Sequence, residues 1–128
     1  TRSQAQPDPC CNWVRSADIE AFKWIDLSLP DDAQLYVAGV ENDGRIAEVD
    51  AGLWINYRTS RDTIAIPLDT RWFDPSFHDW VCRHPPRYLY DSGLEQSFQV
   101  DGSSYPNWYK VVFILQPVTV YEIRPCQP

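Results

Sequence analysis

The chain has 128 residues, of which 44% are hydrophobic, and its 11 basic and 18 acidic side chains give a net charge of −7. This length predicts one domain with its own core, and 6 Trp, 7 Tyr and 5 Phe set the chain apart from disordered proteins. The acidic balance, without a basic stretch, disfavours binding to nucleic acid or to an anionic membrane surface. The sequence also lacks an apolar run long enough to span a membrane.

Residues 1–15 predict an extended N-terminal arm, because they contain Pro7 and Pro9 and show no hydrophobic periodicity. Residues 16–128 are expected to form a single α/β domain. A helix is predicted over 16–29, with Ser16 as its N-cap and Pro30 ending it. Its apolar side chains recur at intervals of three and four residues: Ile19, Phe22, Ile25 and Leu29.

The remaining elements follow from β-rich runs separated by turn residues. A turn is expected over 41–44, a short helix over 50–59 and an irregular loop over 68–87. The runs 108–115 and 118–124 predict an antiparallel hairpin, because their connection is too short for a crossover. Strands are expected near 34–40, 63–66, 87–91, 108–115 and 118–124. The predicted fold is therefore α/β, with a mixed sheet and short flanking helices.

Four cysteines, Cys10, Cys11, Cys82 and Cys126, form an even set without zinc-site spacing, which predicts two disulfides. Since a bond between the adjacent Cys10 and Cys11 is strained, we expect one of them to reach Cys82 and the other Cys126. The chain begins at Thr1 and contains no Met, which suggests cleavage of a precursor. Both observations favour an exported protein, located outside the cell or at its surface.

Four stretches resemble the soluble extracytoplasmic C-terminal region of polytopic, glycosyltransferase-like bacterial membrane proteins. They are SADIEAFKWIDLSLPDDA (16–33), DAGLWINYRTSRDT (50–63), RYLYDSG (87–93), and WYKVVF with VTVYEIR within 108–124. The resemblance implies an accessory α/β domain. In that family catalysis belongs to carboxylates in loops between membrane helices, so the resemblance assigns no catalytic residue to this chain.

A search for chemistry-bearing motifs predicts no cofactor, no resident metal and no catalytic residue. His78, Cys82 and His84 have a spacing that a soft metal could use, but we expect Cys82 to be oxidised and Pro85 and Pro86 to interrupt the segment. The sequence contains neither a G-x-S-x-G elbow nor a phosphate-binding glycine loop. These patterns favour a protein that acts by binding.

The 68–87 loop concentrates residue types that are enriched at interface hot spots. Three interpretations of this aromatic cluster stay open: core packing, a protein interface and a carbohydrate-stacking surface. The residues predicted to form an interface are Pro7 and Pro9 in the arm and Trp72, Phe73, Phe77, Trp80 and Arg83 in the loop.

The sequence therefore predicts a secreted, non-catalytic structural or assembly subunit at the cell surface. It is expected to self-associate, as a homo-oligomer or a filament, through the N-terminal arm and the aromatic loop. The alternative is an accessory glycan- or peptide-binding domain of a glycosyltransferase-like membrane protein.

Overall fold

A computed structural model describes residues 14–42, 44–48, 51–93, 98, 100 and 104–126. The chain forms one mixed sheet with short helices on both faces. The helices are α1 (Ser16–Ser28), α2 (Ile55–Thr59, preceded by a 3-10 turn over Ala51–Trp54) and α3 (Pro75–Val81). The strands are β1 (Gln34–Asn42), β2 (Arg45–Glu48), β3 (Asp62–Pro67), β4 (Tyr88–Asp91), β5 (Tyr109–Leu115) and β6 (Val118–Ile123).

The sheet is mixed because β1 lies parallel to β3 and β4, whereas β4, β6 and β5 alternate in direction. The strand order runs β2-β1-β4-β6-β5, and β3 pairs with β1. The predicted hairpin is confirmed, since β5 and β6 are antiparallel neighbours from Tyr109↔Ile123 to Leu115↔Val118. The predicted mixed α/β class is confirmed with it.

The first face of the sheet is covered by α1 and α2. Phe22, Ile25 and Leu29 of α1 are buried there against Leu35 of β1 and Tyr90 of β4. The apolar spacing of the sequence therefore identified the buried side of this helix correctly, although Ile19 is only partly buried.

A buried carboxylate anchors the beginning of α1. Asp18, whose side chain is fully buried, accepts hydrogen bonds from the backbone N–H (2.9 Å) and the Nε–H (3.0 Å) of Arg15, and from the hydroxyl of Tyr90 (2.5 Å). Arg15 in turn donates from Nη2 to the carbonyl oxygen of Ser92 (2.5 Å). The N-cap position is thus Arg15 rather than the predicted Ser16, and it connects the helix to the end of β4.

A buried arginine from another element closes the end of α1. Arg61 is 5% exposed, and its guanidinium donates to the carbonyl oxygens of Asp26 (3.1 Å), Leu29 (2.9 Å) and Pro30 (2.9 Å). It also donates to the carbonyl of Thr59 (2.8 Å). Because the last carbonyls of a helix have no partners within it and carry partial negative charge, this cation satisfies and stabilises that end.

The second face of the sheet is covered by an aromatic core centred on Trp72. The indole is 1% exposed and makes edge-to-face contacts with Tyr36, Phe77, Phe98 and Tyr109, with ring centroids 5.0 to 6.0 Å apart. The hydroxyl of Tyr109 donates to the carbonyl oxygen of Trp72 (2.5 Å), and burial raises the pKa of this tyrosine. Tyr109 therefore stays a hydrogen-bond donor.

Two sequence expectations for the loops are corrected. The turn expected over 41–44 belongs to a hairpin, in which β1 extends to Asn42 and pairs with β2, with Gly44 at φ +77°. The loop expected over 68–87 contains α3. The helix predicted over 50–59 begins with the 3-10 turn, and Asp50 lies outside the described residues.

The expected disulfide pairing is wrong. Cys82 is bonded to Cys126, with Cα atoms 4.9 Å apart, so neither can bond to Cys10 or Cys11. The pairing follows from the fold, because the bridge closes between the end of α3 and the segment after β6. Cys10 and Cys11 lie outside the described residues.

Truncating Phe22 tests the core under α1. Phe22 is 3% exposed and its ring centroid lies 5.9 Å from that of Tyr90, so Phe22→Ala leaves a cavity. We expect a loss of about 3–5 kcal/mol in the free energy of unfolding, measured by urea denaturation. The control is Leu27→Ala on the same helix, since Leu27 is 85% exposed and its truncation should change this value by less than about 0.5 kcal/mol. Equal effects of the two substitutions would contradict the assigned buried face.

Removing the guanidinium of Arg61 tests the cap of α1. Arg61→Met keeps most of the aliphatic volume but leaves buried carbonyl oxygens without a donor, so we expect a loss of about 2–4 kcal/mol. The control is Arg58→Met, because Arg58 is exposed. Chemical denaturation of both variants measures the difference. If Arg61→Met leaves the free energy of unfolding unchanged, Arg61 does not stabilise the end of α1.

Candidate interaction surface

The helix α3 is set by the residues immediately before it. The carboxylate of Asp74, the N-cap, accepts hydrogen bonds from the N–H (2.9 Å) and the hydroxyl (2.7 Å) of Ser76, and these bonds lower the pKa of Asp74. Pro75 occupies the first helical position, where its missing N–H costs nothing. The local sequence therefore begins a helix at Pro75 and orients the side chains that follow.

The other end of α3 is held covalently. Cys82 follows the helix, its backbone N–H donates to the carbonyl oxygen of His78 (3.0 Å), and its sulfur bonds to Cys126. Arg87 adds a link to the same region, because its guanidinium donates to the carbonyl oxygens of Cys82 (3.0 Å) and Ile123 (2.5 Å). The short helix is therefore fixed to the sheet at its end.

The exposed side of α3 carries a large aromatic side chain, Trp80, which is 52% exposed. Its ring lies between those of Phe77 (6.1 Å between centroids) and His84 (5.2 Å). Beside it, Arg83 and Asp79 form an ion pair with an N–O distance of 2.9 Å. We call Asp79, Trp80, Arg83 and His84 the α3 surface.

Stacked rings support this region from one side. Phe73 stacks on Tyr105 (4.4 Å), Tyr105 on Trp108 (4.9 Å), and Trp108 on His78 (3.9 Å, with 9° between the planes). All four side chains are partly buried, so the stack combines packing area with ring contacts. The stack joins α3 to the segment that leads into β5.

The structure argues against the metal alternative for this segment. Cys82 is oxidised in the disulfide, and the Nδ1–H of His84 donates to the carbonyl oxygen of Trp80 (2.9 Å). Within the described ranges, no three His, Cys, Asp or Glu side chains are placed to hold a metal ion. His78 instead packs on Trp108, and burial lowers its pKa against the opposing charge of Asp79.

The structure separates the residues that the sequence grouped as one interface. Trp72 is buried, so core packing accounts for it and its ring cannot contact a partner. Phe73 and Phe77 are half-buried, whereas Trp80 and Arg83 reach the surface. Pro7 and Pro9 lie outside the described residues.

Two residues of this region were missed from the sequence. Tyr105 and Trp108 lie in the stack, but the sequence analysis placed Trp108 in the strand predicted over 108–115 and gave Tyr105 no role. The pattern Tyr-Pro-Asn-Trp-Tyr over 105–109 was the available signal, because it places aromatic residues around a turn.

Comparisons with known proteins leave the family open. No family model matches the sequence, and neither a curated protein nor a solved structure does. The resemblance to glycosyltransferase-like membrane proteins therefore stays a prediction. Of the helices in the described part of the chain, none combines the length and apolar character needed to cross a bilayer.

The lowered pKa of His78 makes a testable contribution to stability. Because the unfolded chain binds a proton near pH 6.5 more readily than the folded chain, the free energy of unfolding should fall as the pH drops below that value. We expect His78→Phe, which keeps a ring against Trp108, to show a smaller stability loss between pH 7.5 and 5.5 than the original chain. Urea denaturation at both pH values measures it, with His84→Phe as the control for the other histidine. An unchanged pH dependence in His78→Phe would exclude this contribution.

Proposed function

We propose that the chain is a secreted, non-catalytic structural or assembly subunit at the cell surface that binds copies of itself. The α3 surface is the contact we assign to this role. The N-terminal arm, the other contact that the sequence predicts, lies mostly outside the described residues. If the contact joins different surfaces of neighbouring copies, it generates a ring or a filament.

The exposure of Trp80 on a fixed helix is the observation that carries this proposal. Tryptophan and arginine are enriched at interface hot spots, because each covers a large area. Here the cap at Asp74 and the bond between Cys82 and Cys126 hold the helix before any partner arrives. Binding therefore requires little further ordering of the backbone, and less of the contact energy is lost.

The charges of the α3 surface also suit a contact between identical copies. Asp79 and Arg83 neutralise each other at 2.9 Å, whereas the whole chain carries −7. Two copies that meet at this surface bring neutral ion pairs together, so the contact avoids part of the repulsion between acidic molecules. The disulfide supports a location outside the cytoplasm, where such bonds persist.

Light scattering coupled to size-exclusion chromatography tests the proposal. We expect the molar mass of the intact chain to rise with concentration, and Trp80→Ala to weaken this association at least tenfold. The matched control is Tyr57→Ala on α2, because Tyr57 is an aromatic residue that is 80% exposed. A strictly monomeric intact chain, or equal effects of the two substitutions, would contradict the proposal.

A second function uses the same surface. An exposed indole beside an ion pair of carboxylate and guanidinium groups also suits a sugar ring, which offers an apolar face and hydroxyl groups. This would be the role of an accessory glycan-binding domain in a glycosyltransferase-like protein. Tryptophan fluorescence separates the two functions: a glycan ligand predicts a saturable change with soluble oligosaccharides in a chain that stays monomeric, and loss of that change in Trp80→Ala.

A further inference from the structure

The strand β5 forms an edge of the sheet. It pairs with β6 on one side, and no other strand of the described residues pairs with it. Three of its apolar side chains are exposed, Val111 (45%), Ile114 (56%) and Leu115 (45%). Because an apolar edge strand offers unpaired N–H and C=O groups to any extended segment, natural proteins usually cover or pair such an edge.

The polypeptide that precedes α1 enters the domain next to the end of this strand. Arg15 donates to the carbonyl oxygen of Ser92. The next residue, Gly93, packs so closely on the turn after β5 that a Cβ on it would lie 2.3 Å from the carbonyl oxygen of Pro117. Pro117 lies two residues after Leu115. Residue 14 is therefore near the C-terminal end of β5.

The preceding segment is long enough to cover the whole edge. Thirteen residues come before Val14. In extended form they span about 43 Å, at about 3.3 Å per residue. The seven residues of β5 need about 23 Å by the same measure. The excess leaves several residues for the bend between the edge and the start of α1.

The topology permits one orientation for this segment. A chain that lies along β5 and ends near its C-terminal end runs parallel to it, and β5 is itself parallel to β1 and β4. The connection to β1 would then cross the first face of the sheet through α1, toward the β3 edge.

This crossover would have the same hand as two crossovers of the structure, those from β1 to β3 and from β3 to β4. The connection from β1 to β3 moves in the same direction on the same face, through α2. The connection from β3 to β4 moves in the opposite direction on the opposite face, through α3. Since parallel crossovers are right-handed almost without exception, agreement in hand is a strong condition, and this arrangement meets it.

The positions of the prolines fit an outermost strand. Successive residues of a strand direct their backbone polar groups to opposite edges, so Pro7 and Pro9 would place both ring nitrogens on one edge. The N–H groups of Gln6, Asp8 and Cys10 would all point to the other edge. Proline is tolerated in an edge strand when its nitrogen faces solvent, and it then blocks addition of a further strand.

We propose that the N-terminal arm pairs with β5 of its own molecule, as an additional parallel strand bonded through its even-numbered residues. The arm then covers the apolar edge, and α1 becomes the crossover helix between the arm and β1. The proposal does not depend on the α3 surface.

Hydrogen exchange of the β5 amides that point away from β6 tests this pairing, with a matched pair of proline substitutions. Gln6→Pro removes a predicted donor to β5, whereas Ala5→Pro adds a third proline to the outer edge. We expect at least tenfold faster exchange at these amides in Gln6→Pro and in a chain that lacks residues 1–9. Ala5→Pro should exchange like the intact chain. The β3 edge, at the other side of the sheet, should be unchanged in all variants.

Three results would overturn the proposal. The first is equal exchange in Gln6→Pro and Ala5→Pro. The second is an intact chain whose β5 amides exchange as fast as those of the deletion. The third is protection that increases over a hundredfold range of protein concentration, because the arm would then come from another copy. Trp80→Ala should leave the β5 amides protected, so failure of the α3 contact and failure of the arm pairing are distinguishable.

Discussion

The packing of the Trp72 indole fixes the position of α3, and the candidate interaction surface depends on it. The ring contacts Phe77 of α3, Tyr36 of β1 and Tyr109 of β5. The backbone carbonyl oxygen of Trp72 also accepts a hydrogen bond from the hydroxyl of Tyr109. One side chain thus connects the loop after β3 to two strands and a helix. Phe77 packs on Trp72, and the ring of Trp80 lies 6.1 Å from that of Phe77, so the buried aromatic core also positions the exposed indole.

Helix α1 depends on charge rather than on apolar packing at its two ends. A carboxylate (Asp18) lies at its beginning and a guanidinium (Arg61) at its end, and each is buried and hydrogen-bonded. The signs match those of the helix dipole, which favours an anion at the N-terminus and a cation at the C-terminus. Burial of these charges costs free energy, which the several hydrogen bonds to each group offset. The result is a helix whose position over the sheet is defined at both ends.

The features that depend on a clear local pattern of residues could be predicted from the sequence. The buried side of α1 followed from its three- and four-residue spacing, and the β5–β6 hairpin from two β-rich runs around a short turn. The hairpin of β1 and β2 was missed because β2 is short and polar at its ends. The helix α3 was missed although Asp74 and Pro75 carried the start signal, because the surrounding prolines and aromatic residues suggested a loop.

Tertiary placement was not predictable in the same way. Trp72 and Trp80 have the same side chain, yet Trp72, in the loop before α3, is 1% exposed, whereas Trp80, near the end of α3, is 52% exposed. Residue type alone could not distinguish them. The disulfide was equally undetermined, since the even number of cysteines predicted oxidation but the pairing of Cys82 with Cys126 required the fold.

The α3 surface and the β5 edge present two different kinds of group to a partner. Trp80 offers side-chain area, whereas β5 offers backbone donors and acceptors along an extended strand. The backbone groups of an edge strand can pair with almost any extended segment, so they give little selectivity. An edge strand that stays unpaired is therefore prone to non-specific association. A side-chain surface selects its partner by shape and charge. In the proposed arrangement, pairing the edge within the molecule and leaving Trp80 exposed would therefore direct association to the more selective of the two surfaces.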